Sequence, residues 1–82
     1  MNDIKSQVRK YILDNFLMGG DPDKVTDSVS FIEKGIIDST GVLELVSFIQ
    51  ETYKIRVEDA EMIPENLDSL DKIEKYVRVK LA

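Results

Sequence analysis

Apolar residues recur at three- and four-residue spacing in three separate stretches of the chain, a period that predicts helices. In the first, residues 3–17, Ile4, Val8, Tyr11 and Ile12 fall on one face and Phe16 drifts to its edge. The turn formers Gly19-Gly20-Asp21-Pro22-Asp23 end it. The second stretch runs from Ser39 to Tyr53. There Val42, Leu45, Val46, Ile49 and Tyr53 make an apolar stripe opposite a polar face of Thr40, Glu44, Ser47 and Glu51. Leu43 and Phe48 lie outside the stripe, so one of them is expected at the surface. The third stretch starts near Ser69 and is expected to bury Leu70, Ile73, Tyr76, Val77 and Leu81. Asp68 or Ser69 supplies its cap. Lys72, Lys75, Arg78 and Lys80 lie along it, the later ones favourably near the negative end of the helix dipole. Between the second and third stretches, a short element over residues 57–62 is expected to stop at Pro64.

The connection over residues 18–38 is long for a small domain, and loops of that length are more often functional than not. Val25, Val29, Phe31, Ile36 and Ile37 are the residues expected to pin it to the core. No repeat, low-complexity tract or strand-like alternation interrupts the pattern. The predicted fold class is therefore all-α: a four-helix bundle of three main helices and a short third one, in a single domain over residues 1–82. With 82 residues and no cysteine, the core works near its lower size limit without disulfides or thiolate metal sites. The absence of cysteine also suits a reducing cytosol. The opening Met1-Asn2-Asp3-Ile4-Lys5 has no apolar signal segment, and no apolar run approaches membrane-spanning length, so a cytoplasmic protein without membrane association is expected.

Charge is unevenly distributed. The net −5 divides into +1 over residues 1–20, −8 over 21–68 and +2 over 69–82. The acidic centre disfavours nucleic acid, despite the basic last helix, and steers toward basic protein surfaces. Acidic loops also serve solubility alone, which is the plainer reading. The chain contains neither histidine nor cysteine, so it has no neutral-pH proton shuttle and no thiol nucleophile of its own. A catalytic site is not expected. Asp21-Pro22-Asp23-Lys24-Val25-Thr26-Asp27 begins like a calcium loop. Thr26 and Ile32, however, occupy the positions that require glycine and glutamate, and no metal site is expected.

Ser39 stands where the irregular acidic loop turns into the most apolar helix. The unpaired N–H groups and positive dipole end of a helix start favour an anion there. The plain reading is that Asp38 or Ser39 only caps the helix. Asp68-Ser69, a second Asp-Ser pair thirty residues on, serves as an internal control and reads as that plain case.

The stretch from Phe31 through Gly35-Ile36-Ile37-Asp38-Ser39, followed by Val42-Leu43-Glu44-Leu45-Val46, Tyr53-Lys54-Ile55-Arg56-Val57 and Asn66-Leu67-Asp68-Ser69-Leu70, resembles the acyl carrier and peptidyl carrier protein family over essentially the whole chain. The resemblance implies the family's four-helix bundle. It also implies 4′-phosphopantetheine, donated by coenzyme A, in phosphodiester linkage to Ser39, with Asp38 recognised by the phosphopantetheinyl transferase. Cargo would ride as a thioester on the distal thiol. The implied partners are the transferase, an acyl- or aminoacyl-loading ligase and downstream acyl-processing enzymes, met by a monomer through Thr40, Leu43, Glu44, Ser47 and Glu51. Thr40 stands where the family commonly has leucine, Gly41 where an acid is common, and Ser47 where an exposed apolar contact is common. These departures point to a specialised stand-alone carrier. A cofactor-free helical adaptor using the same face is the competing reading.

Overall fold

The 3.6-residue period is realised as helix wherever it is sustained. In the computed structural model, which describes residues 3–17 and 22–81, four α-helices follow one another: α1 (Ile4–Asn15), α2 (Ser39–Tyr53), α3 (Pro64–Leu67) and α4 (Leu70–Leu81). Short 3-10 turns occupy Pro22–Lys24 and Asp59–Glu61, and the described residues contain no strand. The expected Gly-Gly terminator of the first helix lies outside the described residues. α1 and α4 pack together, α3 lies against α4, and α2 closes the bundle.

The buried apolar side chains form one cluster. α1 contributes Ile4, Val8 and Ile12, α2 contributes Leu45, Val46 and Ile49, and α4 contributes Leu70, Ile73, Tyr76 and Val77. The long connection adds Val25, Phe31 and Ile37, with Val29 and Ile36 half-buried against them, so its expected anchors hold. Of the two residues outside the α2 stripe, Leu43 is exposed. Phe48 is half-buried, its ring stacked on Tyr11 with centroids 4.1 Å apart.

Two expectations about elements are corrected. Pro64 starts a helix instead of stopping one: within the 57–62 segment only Asp59–Glu61 turn, as a 3-10 helix, and Pro64 takes the first helical position of α3. At that position its missing N–H has no partner to lose and its fixed φ suits the helix. Leu81, expected in the core, is 53% exposed. It continues the α4 stripe one turn past Val77, at the last residue of the helix.

Side-chain bonds fix the returns between helices. The Tyr53 hydroxyl donates to Gln7 Oε1 at 2.6 Å, joining the end of α2 to α1. Lys54 then turns the chain in the left-handed conformation, φ 57°, and Val57 N–H donates to Gln50 Oε1 at 2.9 Å. Glu61 collects three donors on one carboxylate oxygen: Glu58 N–H at 3.0 Å, Tyr76 OH at 3.1 Å and Lys80 Nζ at 3.0 Å. Lys5, on α1, meets Asp71 of α4 at 2.6 Å and Asp27 of the connection at 3.5 Å.

These groups set a pH dependence. The Glu58 N–H, then Lys80, hold the Glu61 carboxyl below the usual glutamate value against the opposing effect of burial. A lowered carboxyl contributes stability that is present above its unfolded value, about 4.3, and is lost as pH falls through the folded one. Lys5 is raised, first by its Asp71 bond, and Tyr76 is pushed up to about 12, first by burial and then by Glu61. Their contributions are complete below the unfolded values, about 10, and fade as pH rises through the folded ones. Thermal melts are therefore expected to be flat between about pH 5 and pH 10 and to fall on both sides. Glu61→Gln keeps an acceptor oxygen but loses the titration, so its Tm should drop less than the parent's between about pH 5 and pH 3. Equal drops in the two proteins would show that the Glu61 hub does not contribute.

Candidate functional site around Ser39

The approach to α2 is held from both sides. Phe31 N–H donates to the Asp68 carbonyl at 3.0 Å, and Ile32 N–H to Asp68 Oδ1 at 3.0 Å. The Ser30 hydroxyl donates to the other Asp68 oxygen. Asp71 N–H reaches back to the Asp27 carbonyl at 3.0 Å, while Arg9 donates to the Val25 carbonyl at 2.9 Å and pairs with Asp27. The connection is thus tied to α1 and to the start of α4. A tight reversal follows, in which Gly35 adopts φ +67° and Ile36 and Ile37 N–H both point at the Phe31 carbonyl. An L-residue in that left-handed conformation costs about 1–2 kcal/mol, which is why glycine suits it. The reversal drops Ile37 into the core, 2% exposed, and delivers Asp38 and Ser39 to the surface.

Asp38 caps α2. Its backbone is extended, and Oδ1 accepts from Gly41 N–H at 2.8 Å while its carbonyl accepts from Val42 N–H. Ser39 becomes the first helical residue, exposed, and its hydroxyl makes no hydrogen bond among the described residues. The N–H groups of Ser39 and Thr40, at the first two helical positions, have no carbonyl one turn earlier to donate to. The second Asp-Ser pair is built the other way. Ser69 is 4% exposed, its hydroxyl accepts Lys72 N–H at 3.2 Å as the cap of α4, and Asp68 is spent on the connection. One serine is a buried cap and the other a free alcohol at a helix start.

Thr40, Leu43, Glu44, Ser47 and Glu51 are all exposed. On a helix turning about 100° per residue they fall within one arc of about 100° beside Ser39. The five side chains therefore share one exposed side of α2, with Leu43, 57% exposed, as its apolar point. Behind α2 and next to the Ser39 turn, Phe31, Ile37, Val42, Leu45, Met62 and Leu67 line an apolar cleft of about 60 Å3, with Ile32 and Ile63 exposed at its edge. An engineered cavity of ~150 Å3 holds one benzene molecule. The cleft as it stands can shelter the end of a small group and not a long chain.

Gly41 has a role the sequence reading missed. It is buried in the first turn of α2, and a Cβ there would lie 2.8 Å from Phe16 Cε1 and 2.9 Å from Ile37 Cγ2. A hydrogen side chain lets the end of α1 pack directly beneath the Ser39 turn. Asp68 as the anchor of the connection was also missed, because its partners lie over thirty residues away in sequence. A glycine interrupting an apolar helix start was the only available hint of the first.

The helical bundle is the architecture that the resemblance to carrier proteins implies, and the sequence comparisons point to the same family. No family model matches the chain. It is 32% identical to the acyl carrier protein of Caulobacter vibrioides (strain NA1000 / CB15N) over 82 residues, all of both chains. It is 30% identical over 81 residues to the acyl carrier protein of Phenylobacterium zucineum (strain HLK1), covering 99% of this chain and 98% of that one. The chain belongs to the acyl carrier protein family.

Proposed function

We propose that residues 1–82 form one carrier domain in which Ser39 bears 4′-phosphopantetheine, transferred from coenzyme A by a phosphopantetheinyl transferase. The observation that carries this reading is the division of labour at the start of α2. Asp38 takes the capping bond from Gly41, so the exposed Ser39 hydroxyl is left without a structural task. The phosphodiester would sit against the unpaired N–H groups and positive dipole end of a fifteen-residue helix. The distal thiol of the arm supplies what this chain lacks, a nucleophile that holds an acyl or aminoacyl group as a thioester. The protein itself catalyses nothing; it raises the local concentration of the cargo at each docked enzyme. No described helix is long and apolar enough to cross a membrane, in keeping with a carrier that acts in the cytoplasm.

The test is intact mass after incubation with coenzyme A and a phosphopantetheinyl transferase. One arm's mass should appear. No gain with any transferase would leave a cofactor-free adaptor as the reading.

Thr40, Leu43, Glu44, Ser47 and Glu51 form the face offered to the transferase, the loading ligase and the processing enzymes, with Asp38 beside the acceptor. Glu44 and Glu51 are exposed, so reversing both to lysine should leave the melt unchanged. The same change should slow transfer of the arm by about tenfold at low salt and flatten its salt dependence. An unchanged rate and salt slope would remove these acids from the face.

A further inference from the structure

Three hydrogen bonds hold the start of the Ser39 approach, and all three end on Asp68, at the junction of α3 and α4. The Asp68 carbonyl accepts Phe31 N–H at 3.0 Å, Oδ1 accepts Ile32 N–H at 3.0 Å, and Oδ2 accepts the Ser30 hydroxyl. Having given its one proton to Asp68, the Ser30 oxygen turns its lone pairs to Glu33 N–H, at 3.2 Å. The bonds that follow close the reversal. Lys34 N–H donates to the Ser30 carbonyl at 3.1 Å, Gly35 N–H to the Ile32 carbonyl at 3.1 Å, and Ile36 N–H to the Phe31 carbonyl at 2.8 Å. Burial does little to shape this stretch, because Ile32, Glu33, Lys34 and Gly35 are all exposed. Gly35, at φ +67°, permits the reversal but permits other paths as readily. The two carboxylate oxygens of Asp68 select this one.

We propose that Asp68 is a positioning residue for attachment of the arm: its carboxylate, through the Ser30 hydroxyl and the Ile32 N–H, keeps residues 30–37 wound so that Ser39 meets the transferase in one geometry. The inference rests on the carrier reading for the reaction and on the hydrogen bonds alone for the geometry. Ser39 is the first helical residue of α2, and a helix end frays unless the chain before it is held. Ile37 and Asp38, which anchor and cap that end, come directly out of the turn that Asp68 sets. Group transfer to a hydroxyl needs close alignment, and a displacement of about 1 Å can cost about a hundredfold in rate. A carboxylate suits the task because both its oxygens only accept, so the two donors from the connection do not compete. Its charge strengthens both bonds. Asparagine would offer one accepting oxygen to two donors.

The experiment measures arm transfer from coenzyme A to the full chain, with kcat and KM for the carrier separated, at a temperature where parent and variants are folded. Asp68→Ala should lower kcat about tenfold with KM within about twofold of the parent, because the exposed side of α2 is unaltered. Ser30→Ala, which removes the hydroxyl between Asp68 and Glu33 N–H, should lower kcat about threefold. Asp68→Asn should recover part of the loss and lie between Asp68→Ala and the parent. Ser69→Ala is the control for a merely structural role. It removes the cap of α4 one residue from Asp68, so it should lower the melting temperature yet leave kcat unchanged. Amide exchange by NMR gives a readout without the arm. In Asp68→Ala, exchange of the Ile36 and Ile37 N–H groups should rise about tenfold more than that of Leu45 and Val46 in the middle of α2. The variants should fold, since the bonds of Phe31 N–H to the Asp68 carbonyl and of Asp71 N–H to the Asp27 carbonyl are made by backbone.

An Asp68→Ala protein with the kcat of the parent, or one slowed no more than Ser69→Ala, would overturn the proposal. So would a loss confined to KM, an Asp68→Asn protein as slow as Asp68→Ala, or exchange at Ile36 and Ile37 that rises no more than in the middle of α2. A parent that takes the arm while Asp68→Ala takes it equally fast defeats this inference and leaves the carrier reading intact. A parent that takes no arm defeats the carrier reading and the positioning role with it, while the exchange measurement still decides whether Asp68 sets the turn.

Discussion

Ser39→Ala incubated with coenzyme A and a phosphopantetheinyl transferase should gain no mass, whereas Ser69→Ala should gain one arm as the parent does. The two serines share an aspartate before them and a helix after them, so a difference between them reports structure and not local sequence. Ser39 is an exposed alcohol with its capping duty taken by Asp38; Ser69 is buried and bonded to Lys72 N–H. Stability should divide the opposite way. Ser69→Ala removes a cap and should cost about 1 kcal/mol, whereas Ser39→Ala removes no bond and should melt within about 0.5 kcal/mol of the parent. Denaturant unfolding beside the mass measurement separates a modification defect from a folding defect. Modification of Ser39→Ala at any serine would be fatal to the assignment, as would loss of modification in a folded Ser69→Ala.

Phe31→Ala should destabilise the protein by about 3–5 kcal/mol. Chains of this size have about 4–12 kcal/mol in total, so a large share of the stability hangs on one ring. Phe31 is 1% exposed, among the largest fully buried side chains, and it belongs to the connection and not to a helix. Its N–H holds the Asp68 carbonyl and its own carbonyl receives Ile36 and Ile37, so the ring anchors the reversal that presents Ser39. Its neighbour Ile32 is 51% exposed, and Ile32→Ala should cost well under half as much. Urea titration of the two variants checks both: the midpoint should fall sharply for Phe31→Ala with little change in slope. Equal midpoints for the two would mean that the connection is not anchored through this ring.

Periodicity carried α1, α2 and α4 because each is long enough for its apolar stripe to repeat. The α2 limits, Ser39 and Tyr53, coincide with those read from the pattern. The region of α3 was misread because four helical residues make barely one turn and leave no period to detect, while Pro64 is compatible with both the end and the beginning of a helix. Leu81 was misplaced because a stripe says which face turns inward and not where the partner helices end. At the site, the sequence order around Ser39 was enough to raise it above an ordinary cap, and the polar face of α2 could be read residue by residue. The packing beside that face could not. The stack of Tyr11 on Phe48 joins residues far apart in the chain, and nothing local to either announces the other.

From the amino-acid string alone came the helical class, the three main helices, the anchors of the long connection and the suspicion that Ser39 and Ser69 have different tasks. Local spacing and residue chemistry act over a few residues and are written directly in the order of the chain. Only the folded arrangement decided that Asp38 does the capping, that Gly41 admits Phe16 beneath the turn, that Asp68 ties the connection to the start of α4, and that Tyr11 of α1 stacks on Phe48 of α2. Each of these depends on where a second segment comes to lie, and that position follows from the packing of the whole core.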